Sequence, residues 1–466
     1  MNNLKKPLSI LSLVAINVIA IDSLRGLPFS AEYGFSAVFY YLLAAITFFI
    51  PVSLVSAELA TAWPETGGLY VWVREAFGKD IAFLTIWLQW FYNIAWYPTI
   101  MSFIAVSIAY MINPALSHDK LYMLCVVMIV FWGCTWINCM GMQIASWVSN
   151  FSAVVGTIIP MLLIVLLGAI WMVEGKSIHV IFSARTFFPN LKHIDNLVLF
   201  ITILFSLVGM EMSASHAREV VNPQRDYPRA VYYSILIIMA TLVLGSLAIS
   251  IVIPTHNLNI VSGLLQAFEL FFQKWNMMWF MPVLAIMLVL GAMGGAAAWM
   301  LGPSKGMLVA CQDGSLPPFL GKISKNNTPV CILLLQGAIF TVMCSAFILM
   351  PTVSSGFWVL SDVTAILALL VYVAMFPAAI VLRYKFPDKV RSFKIPGGKI
   401  GLWLTCMLGL LTSIAGVIIG FFPPSQIPVG NLMTYEIILS VGVIVGCLVP
   451  FLFIALTRYT KGTGTK

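Results

Sequence analysis

Two short polar stretches within apolar runs hold the residues of this chain best suited to chemistry. One is GMEMS (209–213), which follows the apolar run 197–208 and contains Glu211. A carboxylate inside a membrane span is costly, so it normally marks a pathway for ions or substrates. Gly209 and Ser213 are poor helix formers that can leave backbone groups free to hold a polar solute. Alternatively, the helix ends several residues earlier and Glu211 lies in water.

The other stretch is IDSLRGLP (21–28), which interrupts a run that is apolar from Leu8. Backbone amides freed at such a break, at the positive end of a half-helix, suit a carboxylate. Ser23 and Gly26 belong to the segment that would supply these amides. A simple kink at Pro28 is the alternative interpretation.

Arg25 lies inside this second stretch and is the most unusual residue of the chain. Its planar guanidinium could bind a substrate carboxylate through two parallel hydrogen bonds. It could equally neutralise Asp22 or Glu211 in an internal ion pair. We favour substrate contact for Arg25, and we expect Asp22 to be its partner or a cap at the helix break, with a gating or coupling role.

Four further polar residues are candidates for gating. Glu58, near the inner end of the second span, suggests an inner gate or a structural hydrogen bond. His216 could titrate near physiological pH, although a histidine at a helix end is more often simply hydrogen-bonded. Arg218 belongs to a solvated inner face or a gate pair. Asp362, at the outer start of the tenth span, could serve an outer gate or cap a helix.

Aromatic and amide side chains could line a central cavity between the spans. Tyr372 of the tenth span is the main candidate for substrate contact, and the third span offers Trp87, Gln89, Tyr92 and Trp96. Such residues are also common in ordinary helix packing.

Composition indicates an all-α integral membrane protein. The chain has 466 residues, of which 61% are hydrophobic and 9% charged, whereas soluble domains carry roughly 25% charged residues. The eight cysteines include no CxxC pair, and no histidine stands at metal-ligand spacing. We therefore expect neither a metal site nor a cofactor. The net charge of +8 is not evidence for nucleic-acid binding, because no basic soluble domain is present to carry such a site.

Apolar windows of about 20 residues predict about twelve transmembrane helices. They run approximately over 9–30, 36–61, 81–111, 121–139, 145–172, 196–217, 229–254, 277–311, 330–350, 355–383, 400–422 and 432–457. Lysine and arginine concentrate in the loops that are cytoplasmic when both termini are inside. We therefore expect a multi-pass protein of the plasma membrane, a bacterial inner membrane, with cytoplasmic termini.

The two interrupted spans, the first and the sixth, lie five spans apart. This spacing predicts an inverted repeat of five plus five helices, because an odd number of spans turns the second copy over. The first repeat would cover 1–172 and the second 196–383, with two more helices appended over 400–457.

Several motifs resemble the amino acid–polyamine–organocation superfamily, and more closely the glutamate/γ-aminobutyrate antiporter family. They are GMEMSASHAREVVNPQRDYPRA (209–230), AELAT (57–61) followed by Gly67-Gly68, TFFP (186–189), GPSKGM (302–307) and FKIPGG (393–398). The resemblance implies the inverted-repeat fold and amino acid exchange by alternating access, and Tyr372 matches a tyrosine of that family's substrate path.

Two departures from the family pattern leave the substrate open. The family's best-known glutamate exchangers have a tyrosine in the first-span break, where this chain has Arg25. They also carry an acid in the eighth span, where this chain has Gly294-Gly295.

The same eighth span bears on ion coupling. Sodium-coupled relatives take hydroxyls from it, but GAMGGAAA (291–298) offers none and is typical of close helix packing. Proton-coupled relatives place a lysine in the fifth span, and 150–168 contains none. These absences favour exchange without sodium.

The chain is therefore predicted to be a secondary active amino acid antiporter. It would bind an amino acid, reside in the bilayer as a monomer or homodimer, and bind no nucleic acid. A proton-coupled permease for neutral or aromatic amino acids and an amino acid/amine exchanger are the alternatives. Channels favour repeated pore charges, and an enzyme would need paired acids, a metal cluster or an activated nucleophile, none of which is apparent.

Overall fold

All regular secondary structure is helical in the part of the protein that the computed structural model describes, residues 9–65, 67–140, 154–189, 197–211, 223–324, 328–424 and 429–463. In chain order the helices are α1 (Ile10–Ile21), α2 (Leu27–Ala31), α3 (Ser36–Ala62), α4 (Leu69–Phe77), α5 (Lys79–Ile112), α6 (Lys120–Met140), α7 (Val154–Val173), α8 (Phe200–Ser206), α9 (Pro223–Val252), α10 (Gly263–Lys274), α11 (Met281–Gln312), α12 (Val330–Leu349), α13 (Val353–Lys385), α14 (Gly398–Gly420) and α15 (Leu432–Thr463).

Eleven segments of the described chain are long and apolar enough to cross a membrane. Their bounds follow the predicted spans closely; where both ends of the comparison fall in described residues, the largest difference is the start of the seventh span, at Arg225 rather than 229, whereas the predicted start of the fifth span, 145, lies outside the described residues. Of the sixth predicted span, 196–217, residues 197–211 are described, and there the short α-helix α8 is followed by a break in α-helical geometry at Leu207. The all-α membrane fold with an interrupted sixth span is therefore confirmed.

The first span is broken as well. Helix α1 ends at Ile21, and Asp22 closes it through a hydrogen bond from its backbone N–H to the carbonyl of Val18. A single 3₁₀ turn follows, and α2 begins with Pro28 in its first turn. Proline is favoured there, because the first helical residues need no donor inside the helix. The interruption therefore precedes Pro28, and a simple proline kink does not describe it.

Helices α5 and α13 form the centre of the bundle. Buried residues make up 78% of the apolar window of α5 and 67% of that of α13, against 28% for α14 and 22% for α15. Helix α5 packs on α11 and α13, and α13 also contacts α4, α8 and α14. The last two spans thus lie at the periphery of the bundle, where few of their residues are buried.

Buried polar contacts nevertheless attach α15 firmly to the centre. Tyr435 donates to the carboxylate of Asp362 at 2.8 Å and accepts a hydrogen bond from the Trp358 indole at 3.2 Å. Trp87 donates to the carbonyl of Gly446 at 3.1 Å. Asp362 lies well within α13 and is fully buried, so it does not cap that helix as one interpretation of the sequence had it.

Close packing in the eighth span is also confirmed. A Cβ added to Gly291 of α11 would stand 2.4 Å from the backbone oxygen of Gly156 in α7, and a Cβ on Gly156 would meet Gly291 in turn. Only glycine at both positions lets the two backbones approach this closely.

Candidate functional site

A cavity lies where the first-span break meets the sixth span and α5. It contains about 620 Å³ of empty space, which includes open solvent. Polar and aromatic groups mix along its wall. The lining residues are Ala20, Ile21, Ser23, Arg25, Gly26, Phe29, Tyr92, Asn93, Trp96, Thr202, Phe205, Ser206, Val208, Trp299 and Ser361.

Arg25 is the charged residue of this lining. Its side chain is 6% exposed, and Nη1 donates to the hydroxyl of Thr99 at 2.9 Å. The guanidinium carbon also lies 5.9 Å from the ring centre of Trp96 and 5.7 Å from that of Phe357. Aromatic faces and a hydroxyl stabilise a cation only in part.

No acidic residue in the described part of the chain forms an ion pair with Arg25, and its Nε has no acceptor there. The internal pair with Asp22 or Glu211, which the sequence had left open, is therefore absent. The reason is directional, since Arg25 points to α5 whereas Asp22 points to α9.

Asp22 is 5% exposed and contacts Thr241 of α9, with 2.8 Å between Asp22 Oδ2 and the threonine hydroxyl. Its other carboxyl oxygen, Oδ1, is buried without a hydrogen-bond partner. The expected partnership with Arg25 is thus replaced by a neutral partner from a helix more than 200 residues away in sequence.

Glu211 lies inside the protein rather than in water, at 6% exposure. Tyr372 donates to its carboxylate at 2.8 Å, and the backbone amides of Gly209 and of Glu211 itself also donate to it. The structure therefore brings together Glu211 and Tyr372, two of the predicted site residues. Both stand beside the cavity rather than in its lining.

Gly209 lies close to the end of the first-span helix. Its φ of +128° is accessible to glycine and strained for other residues. A Cβ at this position would stand 3.3 Å from the Ile21 side chain and 3.5 Å from both the carbonyl of Ala20 and the Trp299 ring. A larger residue at position 209, in the predicted sixth-span break, would therefore be sterically unfavourable.

Glu58 anchors a buried charge cluster at the predicted cytoplasmic side. Both of its oxygens accept hydrogen bonds from Arg383, and Arg391 Nε lies 3.4 Å from Oε1. The backbone N–H of Ile395 donates to Oε2 at 2.8 Å. This arrangement ties α3 to the end of α13 and to the FKIPGG segment, and the inner-gate and structural roles of Glu58 both stay predictions.

A second, more exposed cluster joins α4 to the residue after α11. Asp313 accepts from Tyr70 at 2.7 Å and from Arg74 at 3.2 Å. Partial burial raises the pKa of Asp313, but the hydrogen bonds from Tyr70 and Arg74 outweigh it, so the net pKa lies below its ordinary value. Sequence reasoning did not identify this cluster, because α4 is short and its partner is distant in sequence.

Other predicted residues fall into three groups. Tyr92 and Trp96 line the cavity as expected, whereas Trp87 packs against α15. Ser213, His216 and Arg218 lie outside the described residues. Several cavity residues were missed, namely Asn93, Thr99, Thr202, Trp299 and Ser361. A polar residue every few positions along α5 is the signal that could have found Asn93 and Thr99.

The described part of the chain contains no group of three histidine, cysteine or acidic residues placed to hold a metal ion. The site is therefore built from hydroxyls, amides, aromatic rings and one guanidinium. Such a lining can bind a small polar molecule with an anionic group.

Comparisons with known proteins agree with this geometry. A sequence model described as amino acid permease matches residues 8–444. An uncharacterized transporter of Legionella pneumophila is 51% identical over 97% of each chain. Two glutamate/gamma-aminobutyrate antiporters of Lactococcus lactis, from subspecies lactis and cremoris, are 30% and 31% identical, over 96% of this chain and 90% of theirs.

Proposed function

Because the chain belongs to the amino acid permease family of the amino acid–polyamine–organocation superfamily, we propose that it is an amino acid antiporter. It exchanges one amino acid for another, or for the amine derived from it, by alternating access. The family and its relatives are transporters rather than enzymes, and the helical bundle is that of a multi-pass membrane protein.

The observation that carries this proposal is the unpaired guanidinium of Arg25. A buried cation without an anion is unfavourable, and the described chain supplies none. A substrate carboxylate in the cavity would complete the site, since Arg25 Nε is free to donate and the amides near Ser23 and Gly26 lie on the same wall.

The remaining site residues have supporting roles in this scheme. Gly209 and Ser213 free the backbone of the sixth-span break, and Glu211 with Tyr372 holds that break in shape beside the substrate. Two antiporters of similar sequence are named for glutamate and γ-aminobutyrate. We therefore place a carboxylate-bearing amino acid first among substrates.

Gating is assigned to the ends of the spans. Glu58 and Arg218 act at the inner side, Asp22 couples the first break to α9, and His216 is a candidate pH sensor. The two inverted repeats, 1–172 and 196–383, move around the cavity, with 400–457 appended. The protein lies in a bacterial inner membrane with both termini in the cytoplasm.

Exchange is proposed to be independent of sodium, because the stretch 291–298 of α11 has no hydroxyl and packs its Gly291 directly against α7. Replacing sodium by choline on both sides of proteoliposomes should leave the exchange rate unchanged. A steep dependence on sodium would contradict this part of the proposal.

Counterflow in proteoliposomes tests the function itself. Labelled amino acid should accumulate faster when unlabelled substrate is trapped inside, which occurs for a carrier and not for a channel. A panel of glutamate, γ-aminobutyrate, neutral, aromatic and cationic substrates separates the exchanger from the alternatives. No acceleration with any member of the panel would refute exchange.

Arg25 variants then test the site. Arg25→Ala should raise the apparent KM at least tenfold, and Arg25→Lys should restore little because the planar fork is lost. Arg185→Ala is the matched control, since Arg185 is an exposed cation outside the cavity lining. An unchanged KM in Arg25→Ala would remove Arg25 from the binding site.

A further inference from the structure

Asp22, like Asp362, is a buried acid with one oxygen lacking a partner and one oxygen bonded to a single hydroxyl, so its surroundings suit a neutral carboxyl group. The side chain is 5% exposed, and among the described residues its Oδ1 has no hydrogen-bond partner and its Oδ2 has one, the hydroxyl of Thr241. An ionised carboxylate in the membrane interior needs several donors or a cation to replace the water it loses. Asp22 has at most one donor.

The hydroxyl of Thr241 has more possible acceptors than it has protons to donate. Its hydroxyl oxygen lies 2.8 Å from Asp22 Oδ2, 2.9 Å from the carbonyl of Ile237 and 3.0 Å from that of Ile238. A hydroxyl has one proton to donate, and a backbone carbonyl can only accept. If Thr241 donates to its own helix, the bond to Asp22 must be donated by a protonated carboxyl group. This assignment satisfies both contacts at once.

Among the described residues, none forms an ion pair that would compensate an anion at Asp22. Arg25, in the same break, points to Thr99. On α3, the Tyr41 hydroxyl is close enough to interact electrostatically with Asp22. The described part of the sixth span, 197–211, has one ionisable residue, Glu211, which is itself an acid. Helix α7 has no ionisable residue, and the nearest one to Thr241 along α9 is Tyr233, about two turns away.

Glu211 makes the contrast clear. Its carboxylate accepts from the Tyr372 hydroxyl and from two backbone amides, and three donors suit an ionised group. The two helix breaks therefore each hold one buried acid, and their hydrogen-bond partners fit opposite protonation states.

We propose that Asp22 is a proton-binding site, protonated while the first-span break is closed, which exchanges its proton with water when that break opens. The O–H bond of the carboxyl breaks, the proton passes to water, and a carboxylate remains until the break closes again. Proton binding at Asp22 does not depend on the function proposed above. A role of this proton in transport rests on that function.

A set of hydroxyls near Asp22 extends to the cavity, although Asp22 is not itself hydrogen-bonded to this set among the described residues. The Tyr41 hydroxyl hydrogen-bonds to Ser30 at 2.8 Å and also contacts Ser206 and Ser246. Ser206 lines the cavity. Hydroxyls both donate and accept, so this cluster can relay a proton between the break and water in the cavity.

Infrared difference spectroscopy of the purified protein tests proton binding without any transport assay. The carbonyl stretch of a protonated, buried carboxyl group should be present in the wild type, lost in Asp22→Asn and shifted in Thr241→Val. Glu211→Gln is the matched control and should leave that band in place. A spectrum of folded Asp22→Asn that retains every protonated-acid band of the wild type would overturn the proposal.

Proteoliposomes test the link to transport. If the protonated form is needed, wild-type exchange should fall as the pH rises, by up to roughly tenfold per pH unit, the limit for one titrating group. Asp22→Asn mimics the protonated acid, so its exchange rate should fall much less with rising pH than that of the wild type. A wild-type pH profile in Asp22→Asn would refute the link.

The two assays separate the two proposals. If no amino acid is exchanged but the Asp22 band is present, the proposed function fails and the proton site stands. If exchange is normal but the band is absent, the proton site fails alone. Thr241→Ser, which keeps the hydroxyl, should behave as the wild type in both assays.

Discussion

Replacing Glu58 by glutamine should destabilise the protein far more than breaking the neighbouring ion pair at Asp313. The Glu58 side chain is 4% exposed, and its two partners, Arg383 and Arg391, are 13% and 1% exposed. Glutamine keeps the shape of glutamate and can still accept from the Ile395 amide. The substitution therefore removes one charge and leaves two buried guanidinium groups without an anion.

The expected magnitude follows from burial. Removing one partner of a buried ion pair costs about 3–5 kcal/mol, which corresponds to roughly 150- to 5,000-fold in the folding equilibrium. The Arg74–Asp313 pair is more exposed, with side chains at 27% and 24%. Breaking it in Asp313→Asn should cost only about 0–1 kcal/mol, as for other partly solvated pairs.

Thermal unfolding in detergent, followed by the fluorescence of the fourteen tryptophans, provides the assay. Both variants must be heated at the same rate, because unfolding of such proteins is often irreversible. The double variant Glu58→Gln, Arg383→Gln should recover part of the loss, since one guanidinium rather than two then lacks a partner. Equal shifts in Glu58→Gln and Asp313→Asn would show that burial does not determine the energy of these clusters.

Two other changes test the sixth-span break. Gly209→Ala should lower the thermal midpoint and the counterflow rate, because a residue with a Cβ at a φ of +128°, 3.3 Å from Ile21, carries about 1–3 kcal/mol of strain. The control is Gly295→Ala, where a Cβ meets nothing within 4 Å, and this variant should match the wild type. Tyr372→Phe removes a hydrogen bond to Glu211, which is worth about 1.5–3 kcal/mol for a charged acceptor. This variant should slow exchange at least tenfold in the same counterflow assay. A wild-type rate would mean that this contact has no part in transport.

Local features of the fold were well predicted from sequence. Apolar windows gave the spans, and the polar runs at 21–28 and 209–213 gave both breaks, because the cost of polar groups in lipid is a property of each segment alone. The pair of Glu211 with Tyr372 was predicted as two separate site residues, and the structure joins them by one hydrogen bond.

Partnerships between distant segments could not be predicted in the same way. Asp22 binds Thr241, which is 219 residues away, and Glu58 binds Arg383, 325 residues away. Which of several possible partners an acid meets depends on how helices rotate about their axes in the bundle. A single sequence does not determine that rotation, so Asp22 was assigned to its sequence neighbour Arg25.

The contact between Asp362 and Tyr435 has a consequence for the order in which the protein is assembled. Chains fold from the N-terminus during synthesis, and Tyr435 follows Asp362 by 73 residues. When α13 first enters the bilayer, its buried acid therefore has no hydrogen-bond donor from α15, and it gains one only when the twelfth span is inserted. The appended pair of helices thus completes the maturation of the centre, and a chain cut after the tenth span would not be a minimal transporter.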